Sequence, residues 1–451
     1  MNGSSDMTSY RHIWRLSWPI ILSNLTLPLV GAVDVAMMGH LSHPAFVGAV
    51  GLGSLLFSLI YLGAGFLRMG TTGFTARAFG EENRPEIIAI ILRALIIAAG
   101  LGLLGIVSSP VWLEAVQGFI SASQRTEGLM TVYISIRIYE LPAALINTAL
   151  MGWFFGQQQM KTAMMHMVIV NLINIILNFM FVIQMGRDVD GVAFASVLAQ
   201  YAGLGYFGLI MLMRRSEFGL FSSGLNRQKI ADRAGWIAFA KIGRDLGIRT
   251  VLIWAIEALL LSETAEMGEG ELASMHIILT LFNFIAYGLD GFAHAAEALV
   301  GMMIGGRDPR KLKQVIWRGL MLSGGCAVGF AVFLFVADSL ILGLMTSQTE
   351  LRNLVLSHWL WVVLIPPASF LAFQMDGIFI GASEGRMMRN TTLACFTIFV
   401  LMMGLVSGLG LDGLLLAFIV YLVARGILLM LCLPVIYAAA QMPAAQKQPQ
   451  E

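Results

Sequence analysis

The segment Ile87–Ser109 reads IIAIILRALIIAAGLGLLGIVSS and contains a single charged residue, Arg93. A helix needs about 20 mostly apolar residues to cross the hydrocarbon core of a bilayer, whereas a barrel strand needs about ten residues of alternating polarity. The run is continuous, apolar and long enough to span. It therefore predicts a membrane-spanning α-helix.

The composition of the whole chain points to the same environment. Of its 451 residues, 58% are hydrophobic and 12% are charged, while charged residues make up about 25% of a typical soluble protein. The formal net charge is +1, so no strongly basic field favours nucleic acid as a partner. The sequence predicts an all-α membrane protein that is embedded in the lipid bilayer.

Similar apolar segments recur along the chain, and we predict twelve transmembrane helices. Their expected bounds are 13–38, 46–78, 87–109, 128–156, 161–184, 190–213, 234–262, 272–304, 314–337, 354–382, 387–410 and 412–440. The segments on the same side as the two termini hold 19 of the 28 Lys and Arg residues, and the opposite side holds three. Because cytoplasmic loops carry this excess, we expect a multi-pass protein of the inner (plasma) membrane with both termini in the cytoplasm.

Landmark residues recur at a constant spacing of 225 positions. Phe57 corresponds to Phe282, and Pro142 corresponds to Pro367. Six spans in each half give both halves the same orientation, which is the parallel repeat found in many transporters. We therefore predict two pseudo-symmetric six-helix lobes joined by a cytoplasmic linker. The predicted N-terminal lobe, linker and C-terminal lobe are residues 1–213, 214–233 and 234–451.

Asp34 is the clearest functional candidate, because a charge inside a membrane is costly and usually serves a function. It lies near the outer end of the first span, with no basic residue within a helical turn or two. Such a carboxylate can hold a proton or coordinate a cation; the alternative is a side chain that reaches the outer surface. Pro19 lies deeper in the same span and is expected to kink it, as a conformational hinge.

Polar side chains of spans 5 and 6 form a second candidate group. Asn174 and Asn178 are four residues apart and share one helix face, and Ser196 and Gln200 have the same spacing. Their oxygen atoms could complete a cation site around a carboxylate. Alternatively, they could hydrogen-bond neighbouring helices to each other, as polar residues of membrane bundles often do. The second interpretation is favoured for Gln200.

The second half carries its own ionisable residues within predicted spans: Glu257, Asp290, His294, Glu297 and Asp376. The three in span 8 follow the spacing i, i+4 and i+7, so they lie on one face that suits a proton path or a cationic substrate. We consider all five candidates for a second cation or substrate site. Mutual pairing of Asp290 with His294 is the alternative.

Two other groups of charged residues favour a structural role. Arg137 and Glu140 lie three residues apart in span 4, and Arg244, Asp245 and Arg249 lie near the start of span 7. Opposite charges at such short spacings can pair within or between helices. We expect these residues to form internal ion pairs.

Missing motifs exclude several classes of function. The chain has no GxxxxGK[ST] phosphate loop, no HExxH zinc helix and no GxSxG elbow, so we expect neither ATP hydrolysis nor an enzyme. Its three cysteines have no paired spacing, which argues against a disulfide framework or a metal site. The expected energy source is an ion gradient, with H+ as the coupling ion, Na+ as the alternative and no cofactor.

The segment Trp18-Pro-Ile-Ile-Leu-Ser-Asn24, continued by Val33-Asp34-Val-Ala-Met-Met-Gly39, resembles the first span of MATE (multidrug and toxic compound extrusion) transporters. Further segments resemble the DinF-like branch of this family: 66–80, 151–156, 243–250 and 288–301. The similarity runs over essentially the whole chain. It implies twelve helices in two lobes that form a V, and antiport of organic, often cationic or amphipathic, compounds against H+ or Na+.

In this branch the carboxylate of the first span, here Asp34, is the expected coupling residue. By the same resemblance, Asn174, Asn178 and Ser196 would surround it. Some relatives carry a second carboxylate where Asn178 stands, so this site has one formal charge fewer. A lone carboxylate fits proton exchange better than tight Na+ binding.

We hypothesise a mechanism from these residues. Protonation of Asp34 from outside would bend span 1 near Pro19, shrink the cavity of the N-terminal lobe and release the substrate. Glu257 and Asp376 resemble the acidic positions of the NorM-like branch, so a second cation site in the C-terminal lobe stays open. We expect the transporter to act as a monomer on small organic molecules.

Two other functions remain as alternatives. A lipid-linked oligosaccharide flippase of the wider superfamily would need a strongly basic cavity, for which Arg68, Arg137, Arg249 and Arg425 are available. The acidic residues of spans 1, 7, 8 and 10 argue against it. A channel or membrane-embedded enzyme is the other alternative, but the sequence offers no catalytic constellation, and a passive pore would not need a two-lobe repeat.

Overall fold

A computed structural model describes residues 7–24, 44–119, 123–218 and 227–441 of the chain. Within these ranges the protein consists of helices and short connections, with no β-strand. Ten helical segments of this described part are long and apolar enough to cross a membrane. The prediction of an all-α, multi-pass membrane protein is confirmed.

The described part of the first half contains eleven helices of very different lengths. They are α1 (Tyr10–Asn24), α2 (Pro44–Gly63), α3 (Gly65–Gly80), α4 (Arg84–Val107), α5 (Ser109–Phe119), α6 (Gln124–Arg137), α7 (Leu141–Gly156), α8 (Met160–Asn178), α9 (Val189–Met213), α10 (Arg215–Phe218) and α11 (Arg227–Ile230). Helices α2 and α3 together form span 2. A 3-10 turn, Ile138–Glu140, joins α6 to α7 as span 4, and a π-helical turn, Phe179–Gln184, extends α8.

In the second half, the described residues 227–441 form nine further helices after α11. They are α12 (Arg233–Met267), α13 (Glu269–Gly305), α14 (Pro309–Val336), α15 (Asp338–Met345), α16 (Thr349–Ser357), α17 (Trp359–Gly381), α18 (Gly385–Val406), α19 (Gly410–Leu431) and α20 (Leu433–Ala439). The longest, α13, has 37 residues. At about 1.5 Å per residue, this helix exceeds the thickness of a bilayer core, so it must tilt or extend beyond it.

Ten of the twelve predicted spans correspond to the ten apolar segments. The first predicted span, 13–38, includes α1 but continues beyond Asn24 into residues outside the described part. The seventh, 234–262, forms the single long helix α12. This helix is not among the ten, because it carries charged side chains, including Arg244, Asp245 and Glu257, along its length.

The contacts of the chain divide it into two compact units. The N unit comprises Leu22–Ala78 and Asn83–Phe239, and the C unit comprises Met1–Ile21, Phe79–Glu82 and Ala240–Glu451. This division differs in its details from the predicted lobes and linker, whose boundaries stay a prediction. Helix α1 passes from the C unit to the N unit between its residues 21 and 22.

Backbone geometry repeats at the spacing found in the sequence. Within the described part of the chain, four residues other than glycine have positive φ angles. They form two pairs 225 residues apart: Glu82 (φ 54°) with Arg307 (φ 53°), and Gln158 (φ 61°) with Ser383 (φ 60°). A residue other than glycine rarely has a positive φ angle. The occurrence of such residues in two pairs with the same spacing therefore shows that the same turns occur in both halves of the chain.

Helix crossings repeat in the same way. A Cβ atom on Gly152 would lie 2.4 Å from Arg68 O, and one on Gly377 would lie 2.2 Å from Ala293 O. The two glycines are 225 residues apart, and so are the two residues that they approach. Small residues allow membrane helices to approach this closely. The structural repeat therefore positions α7 against α3 in the N unit as it positions α17 against α13 in the C unit.

Each unit has its own apolar core. The N unit buries side chains of α2, α6 and α9, including Phe57, Met130 and Val192. The C unit buries a larger set from α12, α13, α14, α17, α18 and α19, including Phe282 and Phe399. These cores hold in place the helices that carry the polar and charged residues of each unit.

Candidate functional site

The N unit contains a cavity of about 190 Å³ that is lined by both polar and apolar side chains. Helices α2, α7, α8 and α9 supply its walls. Its lining residues are Tyr61, Ala144, Asn147, Thr148, Met151, His166, Met167, Val170, Asn171 and Gln200. The wall combines amides, hydroxyls and an imidazole with two flexible thioether side chains. Such a mixture can hydrogen-bond a small organic molecule and adapt to its apolar parts.

Two of the polar residues in this wall, Asn147 and His166, are buried. Asn147 Nδ2 donates to Gln200 O at 2.9 Å and to Gln200 Oε1 at 3.1 Å, which links α7 to α9. His166 is 4% exposed and stacks on Phe207, with ring centroids 4.1 Å apart. Neither ring nitrogen of His166 has a hydrogen-bond partner among the described residues. Buried polar atoms without partners are uncommon, so the imidazole keeps unused hydrogen-bonding capacity in the wall of the cavity.

A charged network lies behind the cavity wall. Tyr61 donates its hydroxyl hydrogen to Glu140 Oε1, and Arg137 Nε donates to the same oxygen at 2.9 Å. Arg137 Nη1 also donates to Ser54 Oγ at 3.0 Å, and the guanidinium lies 4.6 Å from the centroid of the Phe57 ring. The predicted ion pair of Arg137 with Glu140 is confirmed. The network fixes the hydroxyl of Tyr61, which lines the cavity.

The predicted amide group of spans 5 and 6 is assembled in the structure. Asn178 Nδ2 donates to Asn174 Oδ1 at 3.0 Å, and Asn174 Nδ2 donates to Ser196 Oγ at 3.2 Å. All three side chains are buried. A π-helical turn begins directly after Asn178, and such turns are frequent at functional sites. The three residues form one hydrogen-bonded chain between α8 and α9.

This chain and the cavity lie next to each other in the N unit. On α8, Asn171 of the cavity precedes Asn174 by three residues; on α9, Ser196 precedes Gln200 of the cavity by four. Residues three or four apart are neighbours on a helix surface. Asp34, the predicted coupling carboxylate, lies outside the described residues, so its place beside the chain stays a prediction.

The predicted hinge residue Pro19 lies inside α1. Proline has no N–H, so the carbonyl of the residue four positions earlier loses its helical donor. Ser17 Oγ also donates to Ile13 O at 2.9 Å, a type of bond that often bends helices. Helix α1 crosses from the C unit to the N unit two residues beyond Pro19.

The ionisable residues predicted as a second site in the second half do not form a single cluster. His294 Nδ1 lies 2.9 Å from Glu297 Oε1 on α13, so His294 contacts Glu297. Asp290 is half-buried on the same helix, and Glu257 is half-buried on α12. Their predicted role in a second cation or substrate site stays a prediction.

Asp376 of α17 has two cationic partners. Arg249 of α12 and Arg425 of α19 each donate an Nη2 hydrogen to its Oδ2 atom. All three side chains are buried. Arg249 therefore pairs with Asp376, whereas Asp245 pairs with Arg244 and Arg389. Two guanidiniums oppose the approach of another cation to this carboxylate.

Three residues of the cavity wall are not among the site residues that the sequence predicts. Tyr61, Asn147 and His166 line the cavity, but each is an isolated polar residue in an apolar helix. A lone histidine in a membrane span is the signal that could have identified His166. Gln200, for which a role between helices was favoured, does accept a hydrogen bond from Asn147.

Comparison with known proteins defines the class. The MatE family model matches residues 19–180 and 246–406, which are two successive segments of one chain. DNA damage-inducible protein F of Escherichia coli is 32% identical over 421 residues, which cover 93% of this chain and 91% of that protein. The chain belongs to the MATE family of multidrug transporters, and its similarity to the E. coli protein agrees with the predicted DinF-like branch.

Solved structures of the family have the same fold. An outward-facing multidrug resistance MATE family transporter of the MOP superfamily superposes with a TM-score of 0.88, at 18% identity, over 98% of this chain and 99% of its own. A MATE protein in a bent conformation gives 0.85 at 18% identity, over 98% of each chain. The fold class, twelve transmembrane helices in two pseudo-symmetric six-helix lobes, is confirmed.

Proposed function

We propose that this protein exports small organic compounds, often cationic or amphipathic, across the inner membrane in exchange for H+. It would act as a monomer with both termini in the cytoplasm and would need no cofactor. The observation that carries the proposal is the buried hydrogen-bonded chain Asn178–Asn174–Ser196 beside a cavity with several polar side chains in its wall. The family membership supports the transport of small molecules, and the charge bias of the loops supports the orientation.

The cavity is the proposed binding site for the substrate. Its neutral acceptors, such as the imidazole of His166, can receive hydrogen bonds from a protonated amine, and its methionine side chains can adapt to different shapes. Because the wall carries no formal charge, it does not favour substrates of one particular charge. A broad substrate range is expected from such a surface.

The amide chain supports H+ rather than Na+ as the coupling ion. Asn174, Asn178 and Ser196 contribute neutral oxygens and no charge. With Asp34 as the only carboxylate of the proposed site, one proton neutralises it completely. Na+ remains the alternative, because Asp34 with neutral oxygens would also coordinate that ion.

The proposed coupling step uses helix α1. Protonation of Asp34 would change its hydrogen bonds to the amide chain and bend α1 near Pro19. Two features support a bend at that point: the missing donor of Pro19, and the passage of α1 from one unit to the other two residues later. Proton and substrate must bind with opposed preference for exchange to follow.

Uphill efflux from proteoliposomes tests the proposed exchange. A fluorescent organic cation would be loaded at equal concentration on both sides, and a pH gradient would then be imposed. Net movement against the developing substrate gradient, abolished by a protonophore, is the expected result. Movement that only dissipates a gradient would contradict the antiport, because a channel cannot move its substrate uphill.

A lipid-linked oligosaccharide flippase remains the second candidate, because the C unit holds two arginines that share one carboxylate. That function predicts scrambling of a lipid-linked pyrophosphate sugar between the leaflets of vesicles. The same vesicles would then show no uphill efflux of organic cations. The two assays therefore separate the candidates.

A further inference from the structure

The internal repeat relates the cavity of the N unit to charged residues of the C unit. At the offset of 225 residues, Met151 and Gln200 of the cavity wall correspond to Asp376 and Arg425. The glycine contacts of the flanking helices follow the same offset. The C unit thus carries charges at positions where the N unit has a neutral cavity wall.

The charges at these positions do not cancel. Arg249 and Arg425 come from different helices and both bond Asp376, and the three side chains are only 5%, 5% and 6% exposed. Among the described residues, no other carboxylate forms an ion pair with either arginine. Two guanidiniums and one carboxylate leave a net charge of +1. A buried charge without a counterion is unfavourable, so the cluster attracts an anion.

The cluster also has hydrogen-bond donors that are not used. The Nε atoms of Arg249 and Arg425 are buried and have no partner among the described residues. Tyr421 adds a hydroxyl group 3.5 Å from Arg425 Nη1. Guanidinium groups offer donors only and match the two oxygens of a carboxylate. Asp376 Oδ1 is also buried without a partner in the described part of the chain, but the net charge of +1 and the unused guanidinium donors select an acceptor with a negative charge.

We propose that the Arg249–Asp376–Arg425 cluster, which we call the arginine cluster, binds a monovalent anion. The anion is either a small inorganic ion such as chloride or the carboxylate of a transported organic compound. Asp376 competes with the anion for the guanidiniums and keeps the net charge low, so binding is reversible. The two units would then offer sites of different polarity, one for neutral or cationic groups and one for an anionic group.

Anion-dependent thermal stability of the purified full-length protein tests the proposal. The unfolding midpoint would be measured while chloride, or separately benzoate, replaces methanesulfonate, which has no carboxylate, at constant ionic strength. A ligand that binds the folded state raises the midpoint in a saturable manner. A saturable rise with chloride alone identifies an inorganic ion. A saturable rise with benzoate, together with benzoate uptake into proteoliposomes, identifies a substrate carboxylate.

Charge variants predict effects of opposite sign. Arg425→Gln and Arg249→Gln each reduce the net charge of the cluster to zero and remove a charged donor, so the anion affinity should fall about tenfold or more. Asp376→Asn raises the net charge to +2 and removes the competing carboxylate, so the affinity should rise. Arg389→Gln is the matched control, because it also removes an arginine from a carboxylate of the C unit.

The outcomes are separate from those of the efflux assay, since binding is measured without a gradient. Equal midpoints in all three salts would overturn the proposal. An unchanged anion response in Arg425→Gln, or a reduced one in Asp376→Asn, would also overturn it. If one arginine variant fails to fold, the other still tests the sign, because both leave Asp376 with one partner.

Discussion

Replacing Gly377 with alanine would place a methyl group 2.2 Å from Ala293 O. The obstacle is backbone rather than a side chain, so it cannot rotate away. Helices α13 and α17 would have to separate by roughly 1 Å or more to restore a normal contact. Extra volume in a packed core costs about 1–3 kcal/mol. Because this contact is very close, we expect a cost near the upper end of that range.

The expected loss is large enough to measure. For a domain of about 200 residues, 1 kcal/mol shifts the unfolding midpoint by about 2–4 °C, so Gly377→Ala should lower it by roughly 5–10 °C. Gly152→Ala should have a similar effect in the N unit, because its new methyl group would lie 2.4 Å from Arg68 O. The assay is thermal unfolding of the purified protein in detergent.

Gly329 of α14 provides the matched control. A Cβ atom there would meet nothing within 4 Å, and alanine favours a helix over glycine by about 1 kcal/mol. Gly329→Ala should therefore be neutral or stabilising. If Gly377→Ala and Gly152→Ala unfold at the same temperature as Gly329→Ala, the close helix crossings of the two units are not as described.

Three further predictions concern single side chains. The backbone N–H of Lys311 donates to Asp308, the N-cap of α14, and lowers the pKa of its carboxyl group. Wild type should therefore lose stability as the pH falls through that lowered pKa, and Asp308→Asn should remove this loss. The measurement is the unfolding midpoint as a function of pH. Tyr61→Phe should destabilise the protein by about 1–3 kcal/mol, measured by thermal unfolding, because Glu140 is left with one hydrogen bond fewer. Asn178→Asp adds a second carboxylate to the proposed coupling site, so efflux driven by a Na+ gradient should increase relative to efflux driven by a pH gradient.

Each of these predictions has its own contradiction. The sign for Asp308 follows from linkage, because a carboxyl group with a lowered folded pKa stabilises above its unfolded pKa and ceases to do so in acid. Asn83 caps α4 at the equivalent repeat position and does not titrate, so an asparagine is expected to cap α14 as well. An unchanged pH profile in Asp308→Asn would contradict the assignment of the acid-induced loss of stability to Asp308. A Tyr61→Phe variant as stable as wild type would show that the Glu140 contact is not important. Equal ion dependence of wild type and Asn178→Asp would argue against coupling at the amide chain.

Much of the architecture could be predicted from the sequence, because membrane spans are long and uniform. The apolar lengths alone fix spans such as 87–109, which became α4 (Arg84–Val107) within a few residues. The repeat was visible in a few residues such as Pro142 and Pro367, and it is confirmed by turns and helix crossings at the same offset. The family follows from motifs spread over the whole chain.

The partners of individual side chains could not be predicted in the same way. The sequence indicates that Asp376 lies within a span, but its partners Arg249 and Arg425 lie 127 and 49 residues away in the sequence. Likewise, Tyr61 reaches Glu140 across 79 residues. Helix periodicity predicts only neighbours three or four residues apart, as it did for Asn174 and Asn178. Contacts between distant helices depend on the three-dimensional packing.

The most direct test of the proposed mechanism is efflux from proteoliposomes that contain either wild type or Asp34→Asn, with a pH gradient or a Na+ gradient imposed separately. We expect that the pH gradient alone drives efflux by wild type and that Asp34→Asn is inserted normally but is inactive. Efflux by wild type that requires Na+, or full activity of Asp34→Asn, would contradict it and would place the coupling elsewhere in the protein.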